Sequence, residues 1–189
     1  DGMGVGWSTT IPMYSPEAII QSIRQYLVDG SLPDDLLPSV KGFTGTIRKE
    51  GNRVLYEGII TRVGLSKKYR VTELPVRKWT QTYKDDMLSK DWIKHIHDES
   101  TETSVNMLIE VQDPLPEGTD LLKKFKLRTS MTLTNMVAHT AEGAIRRFAG
   151  PVDILAYWLP RRLALYEQRR DHLIRAYEQE LATKNRKAS

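Results

Sequence analysis

Residues 42–74 read GFTGTIRKEGNRVLYEGIITRVGLSKKYRVTEL. Apolar and β-branched residues recur here with a period of two, the spacing that puts alternate side chains of a strand on one face. Phe43–Ile47, Val54–Ile60 and Tyr69–Leu74 are therefore expected to be three strands. Glu50-Gly51-Asn52 and Gly64-Leu65-Ser66 supply turn residues between them, which predicts an antiparallel meander. Pro75 ends the third strand, because proline cannot donate to a ladder.

Working outward, Ser15-Pro16-Glu17 has the form of a helix start: a capping hydroxyl, a proline suited to the first turn, and an acid at the positive end of the dipole. Ile19, Ile20, Ile23 and Leu27 follow at helical spacing, and Gly30 closes the run before a loop with Pro33 and Pro38. Beyond Pro75, Thr80–Lys94 predicts a helix divided near Ser89. Val105–Val111 predicts a strand, Leu121–Phe125 a short helix and Ser130–Val137 a further strand. Gly150-Pro151 opens a helix that runs almost to the end. Leu159, Leu163, Tyr166, Leu173, Tyr177 and Leu181 form a partial coiled-coil stripe on it, with Arg170 in the missing seam position and Pro160 expected to kink it. The fold class expected is α+β: a mostly antiparallel sheet flanked by helices, then a long C-terminal helix.

Composition narrows the functions. Among 189 residues, 40% are hydrophobic and 28% charged, the balance of a globular chain. No apolar run reaches the roughly 18 residues of a membrane span. With no cysteine, disulfides and thiolate metal sites are excluded. The net charge of +4 permits nucleic-acid binding without demanding it. The chain starts at Asp1 with no initiator methionine, and its long last helix has no evident partner, so a piece of a longer protein is expected.

The opening residues, DGMGVGWSTTIPMYSP, raise a functional question. Gly2, Gly4 and Gly6 allow positive φ and close backbone approach. Backbone N–H groups here, with the hydroxyls of Ser8, Thr9 and Thr10, are suitable donors to phosphate oxygens. Ile11 follows, restrained by Pro12 to an extended backbone. An apolar side chain held beside phosphate donors is the arrangement that wedges between base pairs. The residues alone favour the commoner arrangement, a glycine-rich turn followed by a buried isoleucine. They do not fit a dinucleotide fingerprint, since Trp7 replaces the third glycine, nor a phosphate loop, since no Gly-Lys-Ser/Thr follows.

His95-Ile96-His97-Asp98-Glu99 invites a metal reading. Two histidines two apart share a side only in a strand, and this region is expected to be a helix end or loop, so no metal is assigned. Asp85-Asp86 and Glu99–Glu102 have no counterpart that would make an acid–base pair, and no catalytic residue is expected.

Six blocks, in order, resemble one family. Gly2-Met-Gly-Val-Gly-Trp-Ser-Thr-Thr-Ile-Pro12 resembles the segment of eukaryotic-type DNA topoisomerase II that follows its catalytic tyrosine domain. Ser15-Pro16-Glu17 with its isoleucines resembles the next family helix, and Lys41-Gly-Phe-Thr-Gly-Thr-Ile47 the family's Lys-Gly-Phe-x-Gly-Thr-Ile. Thr72-Glu-Leu-Pro75, Trp79-Thr80 and Tyr83-Lys84 resemble Thr-Glu-Leu-Pro-x-x-x-Trp-Thr-x-x-Tyr-Lys. Leu133-Thr-Asn-Met-Val137 resembles Leu-x-Asn-Met-Val, and Tyr166–His172 resembles Tyr-x-x-Arg-Lys-x-His of an outgoing long helix. Trp7-Ser8 resembles the eukaryotic and large-virus enzymes more than the bacterial gyrases. Met13 and Ser15 depart from the family's usual proline and asparagine.

The resemblance implies a tower (shoulder) domain and the start of a coiled-coil arm. Its divisions would be a DNA-wedge loop over 1–14 joining from an upstream domain, a tower over 15–150, and a helical arm over 151–189. It implies that this region holds and bends duplex DNA but does not cut it. The cleaving tyrosine, the acids that hold Mg²⁺ and the ATP site lie in other parts of such an enzyme. Ile11 matches the family's intercalating isoleucine, with Gly6, Trp7, Ser8, Thr9, Thr10 and Pro12 around it. Arg77 and Lys78, then Lys41 and Lys84, are the expected phosphate contacts. Implied partners are double-stranded DNA, other domains of the same polypeptide and a second copy in a homodimer; no membrane is involved. The implied compartment is the nucleus, with a mitochondrial or viral enzyme as alternatives, and short spacings between blocks fit a divergent enzyme. Two other functions remain: a stand-alone architectural DNA-bending module, and an interaction module working through the last helix.

Overall fold

A computed structural model describes residues 1–188, with side chains described for 1–186. In chain order the elements are β1 (Gly2–Gly4), β2 (Trp7–Thr9), α1 (Pro16–Asp29), β3 (Thr46–Glu50), β4 (Arg53–Glu57), β5 (Ile59–Arg62), β6 (Lys68–Glu73), α2 (Thr80–Leu88), β7 (Ile93–Asp98), β8 (Met107–Val111), α3 (Leu121–Lys124), β9 (Arg128–Thr132), β10 (Met136–His139), β11 (Ile145–Phe148) and α4 (Pro151–Ala188). The strands make four sheets, ordered β1-β2, β10-β11, β3-β4-β9 and β5-β6-β8-β7. All registers resolved within the first, third and fourth are antiparallel. This is the α+β architecture expected, with the long last helix. No helix among the described residues is long and apolar enough to cross a membrane.

Two compact units divide the chain: Asp1–Ser15 with Leu37–Val137, and Pro16–Leu36 with the chain from Ala138 onward. The core of the first lies on one face of β5-β6-β8-β7. Tyr69, Val71, Ile96, Met107, Ile109 and Val111 point inward from the strands. Tyr83 and Met87, one turn apart on α2, meet them, and Phe125 and Leu127 complete the layer. Phe125 packs at 5.1 Å from both Tyr69 and Trp92, ring centre to ring centre, and its carbonyl accepts from the Tyr83 hydroxyl at 3.0 Å. Burial, with the Asp86 charge acting in the same direction, pushes the Tyr83 phenol well up, so it stays a donor.

The expected meander is corrected at Gly58. Val54–Ile60 is not one strand: β4 pairs with β9, and β5 passes into the other sheet beside β6. Gly58 makes the crossing, donating from its N–H to Leu127 O at 2.9 Å. A Cβ there would run into Glu73 O, so only glycine lets the two backbones approach.

On β3-β4-β9, buried Glu57 accepts from Arg48 at 2.8 Å and from Arg128 at 2.6 Å. Burial pushes its carboxyl up, but the two guanidiniums outweigh that and hold it below its ordinary value.

Other expectations need correction. The helix expected over Thr80–Lys94 ends at Leu88, and 93–98 is β7, with Ile93 and Ile96 turned into the core. His95 and His97 therefore do share the outer face of a strand. Of the carboxylates beside them, Asp98 pairs with Lys84 at 3.3 Å, while Glu99 accepts from Asn106 at 2.8 Å and lies 3.2 Å from His97 Nε2. The strand expected over 130–137 is two strands broken at 133–135. The hairpin β1-β2 and strand β11 went unpredicted.

In the second unit, α1 buries Ser22 and half-buries Ile19 and Ile23, but Ile20 and Leu27 face outward. α4 runs unbroken through Pro160. Asp153 holds its first turn, accepting from Ala149 N and from Arg146, each at 3.0 Å. Tyr157, one turn on, accepts from Ala141 N at 2.8 Å and packs edge-on against Phe148. Farther along, Leu163, Tyr166, Leu173, Tyr177 and Leu181 are exposed.

Gly58→Ala should destabilise the chain by about 3 kcal/mol in denaturant unfolding, because the added methyl meets backbone and not a yielding side chain. Because the folded pKa of Glu57 is depressed, its stabilisation is complete above the ordinary value of 4.5 and is lost as pH falls below it. Glu57→Gln should cost about 1–3 kcal/mol at pH 7 and flatten the acid limb of the stability–pH curve.

Candidate nucleic-acid interface

The opening stretch folds into a tight hairpin. Gly2 pairs with Thr9 and Gly4 with Trp7. Of the three glycines only Gly6 uses a positive φ, +80°; Gly2 and Gly4 are extended. Gly4 is needed for space, since a Cβ there would sit 2.5 Å from Nε1 of the Trp7 indole. Met3 and Val5 at the tip are exposed.

The hairpin is locked to residues far along the chain. Thr10 N donates to Asn135 O at 2.8 Å. The Thr9 hydroxyl accepts from Val137 N at 3.0 Å and donates to Asn135 O at 3.4 Å, across 126 residues. The Asn135 side-chain amide donates to the Ser8 hydroxyl at 3.2 Å. On the other side of Ile11, Ser39 N donates to Met13 O at 2.9 Å, and Pro12 between them is buried. Ile11 is thus held at both ends while its own side chain stays 39% exposed. A β-branched residue so fixed loses little further freedom when it meets a surface.

The lock also reassigns donors. The Thr9 hydroxyl and the Thr10 N–H, expected to meet phosphates, are engaged inside the chain. The Ser8 hydroxyl accepts from Asn135, which leaves its own proton to point elsewhere.

The basic residues divide into two sets. Arg77 joins the hairpin: its guanidinium meets the Asp1 carboxylate at 2.6 Å, one residue before the Gly2–Thr9 pair. It has a φ of 70°, in the turn that Lys78 N closes onto Pro75 O. Lys41 is exposed in the turn after Ser39, where Phe43 N meets Val40 O and Gly42 takes a φ of +79°. Arg77 thus touches the start of the hairpin that leads to Ile11, and Lys41 lies two residues beyond the Ser39 that pins Met13. Lys78 and Lys84 face elsewhere. Lys78 donates to Lys126 O at 3.4 Å above the Tyr83 ring, and Lys84 pairs with Asp98. Glu73 accepts from Thr44 N and its hydroxyl at 3.0 and 2.8 Å, tying the Lys41–Ile47 block to the strand that leads into Arg77.

Sequence reasoning missed the role of Asn135. Its signals were the break in alternation at Thr134-Asn135 and the place of Asn135 in the Leu-x-Asn-Met-Val block, neither of which says what the asparagine binds.

Residues 1–188 match the family described as the DNA gyrase/topoisomerase IV A subunit. The chain is 35% identical over 194 aligned residues to DNA topoisomerase 2 of Penicillium chrysogenum, covering 96% of this chain and 12% of that protein. It is 33% identical over 201 aligned residues to DNA topoisomerase 2-alpha of Gallus gallus, covering 100% of this chain and 13% of that one. The fold superimposes on the crystal structure of the Plasmodium falciparum topoisomerase II DNA-binding, cleavage and re-ligation domain with a TM-score of 0.84. That match is 33% identical and covers 92% of this chain and 25% of the other. The chain therefore spans about an eighth of the length of these curated relatives.

Thr9→Val keeps the shape of the side chain and removes both hydroxyl bonds. It should destabilise the chain by about 1–2 kcal/mol and speed amide exchange at Val137 at least about fivefold, with Thr9→Ser restoring protection.

Proposed function

Given that this chain belongs to the DNA gyrase/topoisomerase IV family, we propose that it is the segment of a type II DNA topoisomerase that grips and bends duplex DNA, with Ile11 as the wedge. The observation that carries the reading is the double anchoring of an exposed isoleucine by Thr10 N to Asn135 O and Ser39 N to Met13 O. Unstacking a base step costs a few kcal/mol, and a side chain fixed in advance spends little of its binding energy on becoming ordered. Smooth bending of the site adds about 1–6 kcal/mol. Phosphate contacts along the bent arms offset both costs, and their strength falls with salt.

Gly6, Trp7, Ser8 and Pro12 shape and support the wedge, Thr9 and Thr10 lock it, and Arg77 and Lys41 serve as phosphate contacts. Asp1 holds the Arg77 guanidinium in place until a phosphate displaces it; the exposed pair is worth at most about 1 kcal/mol. Lys78 and Lys84 contribute to the basic surface at a greater distance. The partner is double-stranded DNA, read with little regard to sequence because the contacts are apolar or to phosphate.

Strand passage belongs to the full-length enzyme, a homodimer acting in the nucleus, with ATP hydrolysis and Mg²⁺ used by its other domains. The residues of this chain do not fit either group. Among the described residues no three histidine or acidic side chains gather as ligands, and no glycine loop is followed by Lys-Ser/Thr. The exposed stripe of α4 meets another helix of the same polypeptide as the start of a coiled-coil arm.

The test is energy transfer between the ends of a labelled duplex of a few tens of base pairs. It is run with this chain and with a full-length topoisomerase II carrying it in place of the matching region. Wild type should shorten the end-to-end distance. Ile11→Ala should abolish the shortening and weaken binding roughly tenfold, while stability stays within about 0.5 kcal/mol. A normal bend with Ile11→Ala overturns the assignment.

A further inference from the structure

We propose that Met13 is a second apolar DNA contact, seated on the base step next to the one that Ile11 opens. The inference rests on the reading of Ile11 as a wedge and extends it by one residue that no part of that reading uses.

Burial alternates through the segment: Ile11 is 39% exposed, Pro12 is buried, and Met13 is 58% exposed. The two exposed side chains are thus separated by a single buried proline whose ring fixes φ between them. Their Cα atoms can be at most about 7 Å apart, enough to reach past a step that Ile11 has opened to the one beyond it, given a rise of roughly 3.4 Å per step. Ile11 and Met13 are therefore spaced to meet neighbouring steps.

Met13 is as firmly held as Ile11. Its own carbonyl accepts from Ser39 N at 2.9 Å, and the buried proline before it has a fixed φ. Its side chain alone is free to move. Three other methionines, Met87, Met107 and Met136, are fully buried core filler, whereas Met13, like Met3 at the hairpin tip, is exposed. Leaving an apolar side chain in water on a pinned backbone gives folding nothing, which points to a surface that arrives later. An unbranched thioether adapts to an irregular surface such as base edges and deoxyribose, and methionine is among the side chains that wedge into base steps. Lys41, two residues beyond Ser39, is exposed and makes no hydrogen bond or ion pair among the described residues. It supplies a cation for the phosphate beside the contact.

The experiment places a fluorescent adenine analogue at successive positions in the bent duplex, so that unstacking is read step by step alongside end-to-end distance. It uses this chain and the full-length enzyme carrying it. Met13→Ala should weaken duplex binding about threefold to tenfold and relax the bend. It should also quench the signal at the neighbouring step, with an unchanged unfolding midpoint. Met13→Leu, of similar volume, should stay within about twofold of wild type. If Ile11→Ala loses the bend while Met13→Ala behaves as wild type, the Met13 contact is wrong and the wedge stands. If Ile11→Ala bends normally, or wild type bends DNA in neither preparation, the wedge reading fails and the Met13 contact fails with it.

Discussion

The first unit depends on one crossing. At Gly58 a single run of chain leaves the β3-β4-β9 sheet and enters β5-β6-β8-β7, and it does so with its backbone against Glu73 O. The two sheets are small, of three and four strands, and each relies on a packed face for its stability. The shared residue makes them cooperative, since opening one pulls on the other. Leu127, just before β9, returns the contact by accepting from Gly58 N. Residues on both sheets thereby keep a fixed separation, and the turn bearing Arg77, which follows β6, inherits it.

On that frame sits a hairpin too short to hold itself. Each of its strands has three residues, and its tip is in water. What holds it is the set of bonds from Thr9 and Thr10 to Asn135 and Val137. These are backbone-centred, directional and partly buried, so they set position more than they add stability. In the proposed function that is the useful division: the sheets provide stability, and the lock sets where an apolar side chain meets a base step.

Much of this was legible in the sequence. Alternating residues in 42–74 give the strands because half-buried antiparallel sheet requires that period. The signals failed where three-dimensional context overrules local pattern. Nothing local tells Val54–Ile60 to change sheets at Gly58; a glycine in a strand permits a close approach without saying what approaches. Lys90–Lys94 continues a helical composition, yet Ile93 and Ile96 are claimed by the sheet core and pull the chain into β7. The segment with Ile11 was found through collinear motifs. The residues alone favoured a buried Ile11, because the facts that decide it lie about 125 residues away at Asn135. The basic residues show the same limit. Four were indistinguishable as charges; tertiary contacts tie Arg77 to Asp1 at the start of the hairpin and engage Lys78 and Lys84 elsewhere, while Lys41 stays exposed near the Ser39 that pins Met13.

The first turns of α4 act mechanically on everything beyond them. A helix of 38 residues is about 57 Å long, so a tilt of about 10° at its base would swing its far end by about 10 Å. Asp153 and Tyr157 grip that base through Ala149, Arg146 and Ala141. A few short bonds there act at the fulcrum of a lever, and their stiffness, multiplied by its length, sets how accurately the exposed stripe at the far end can be aimed.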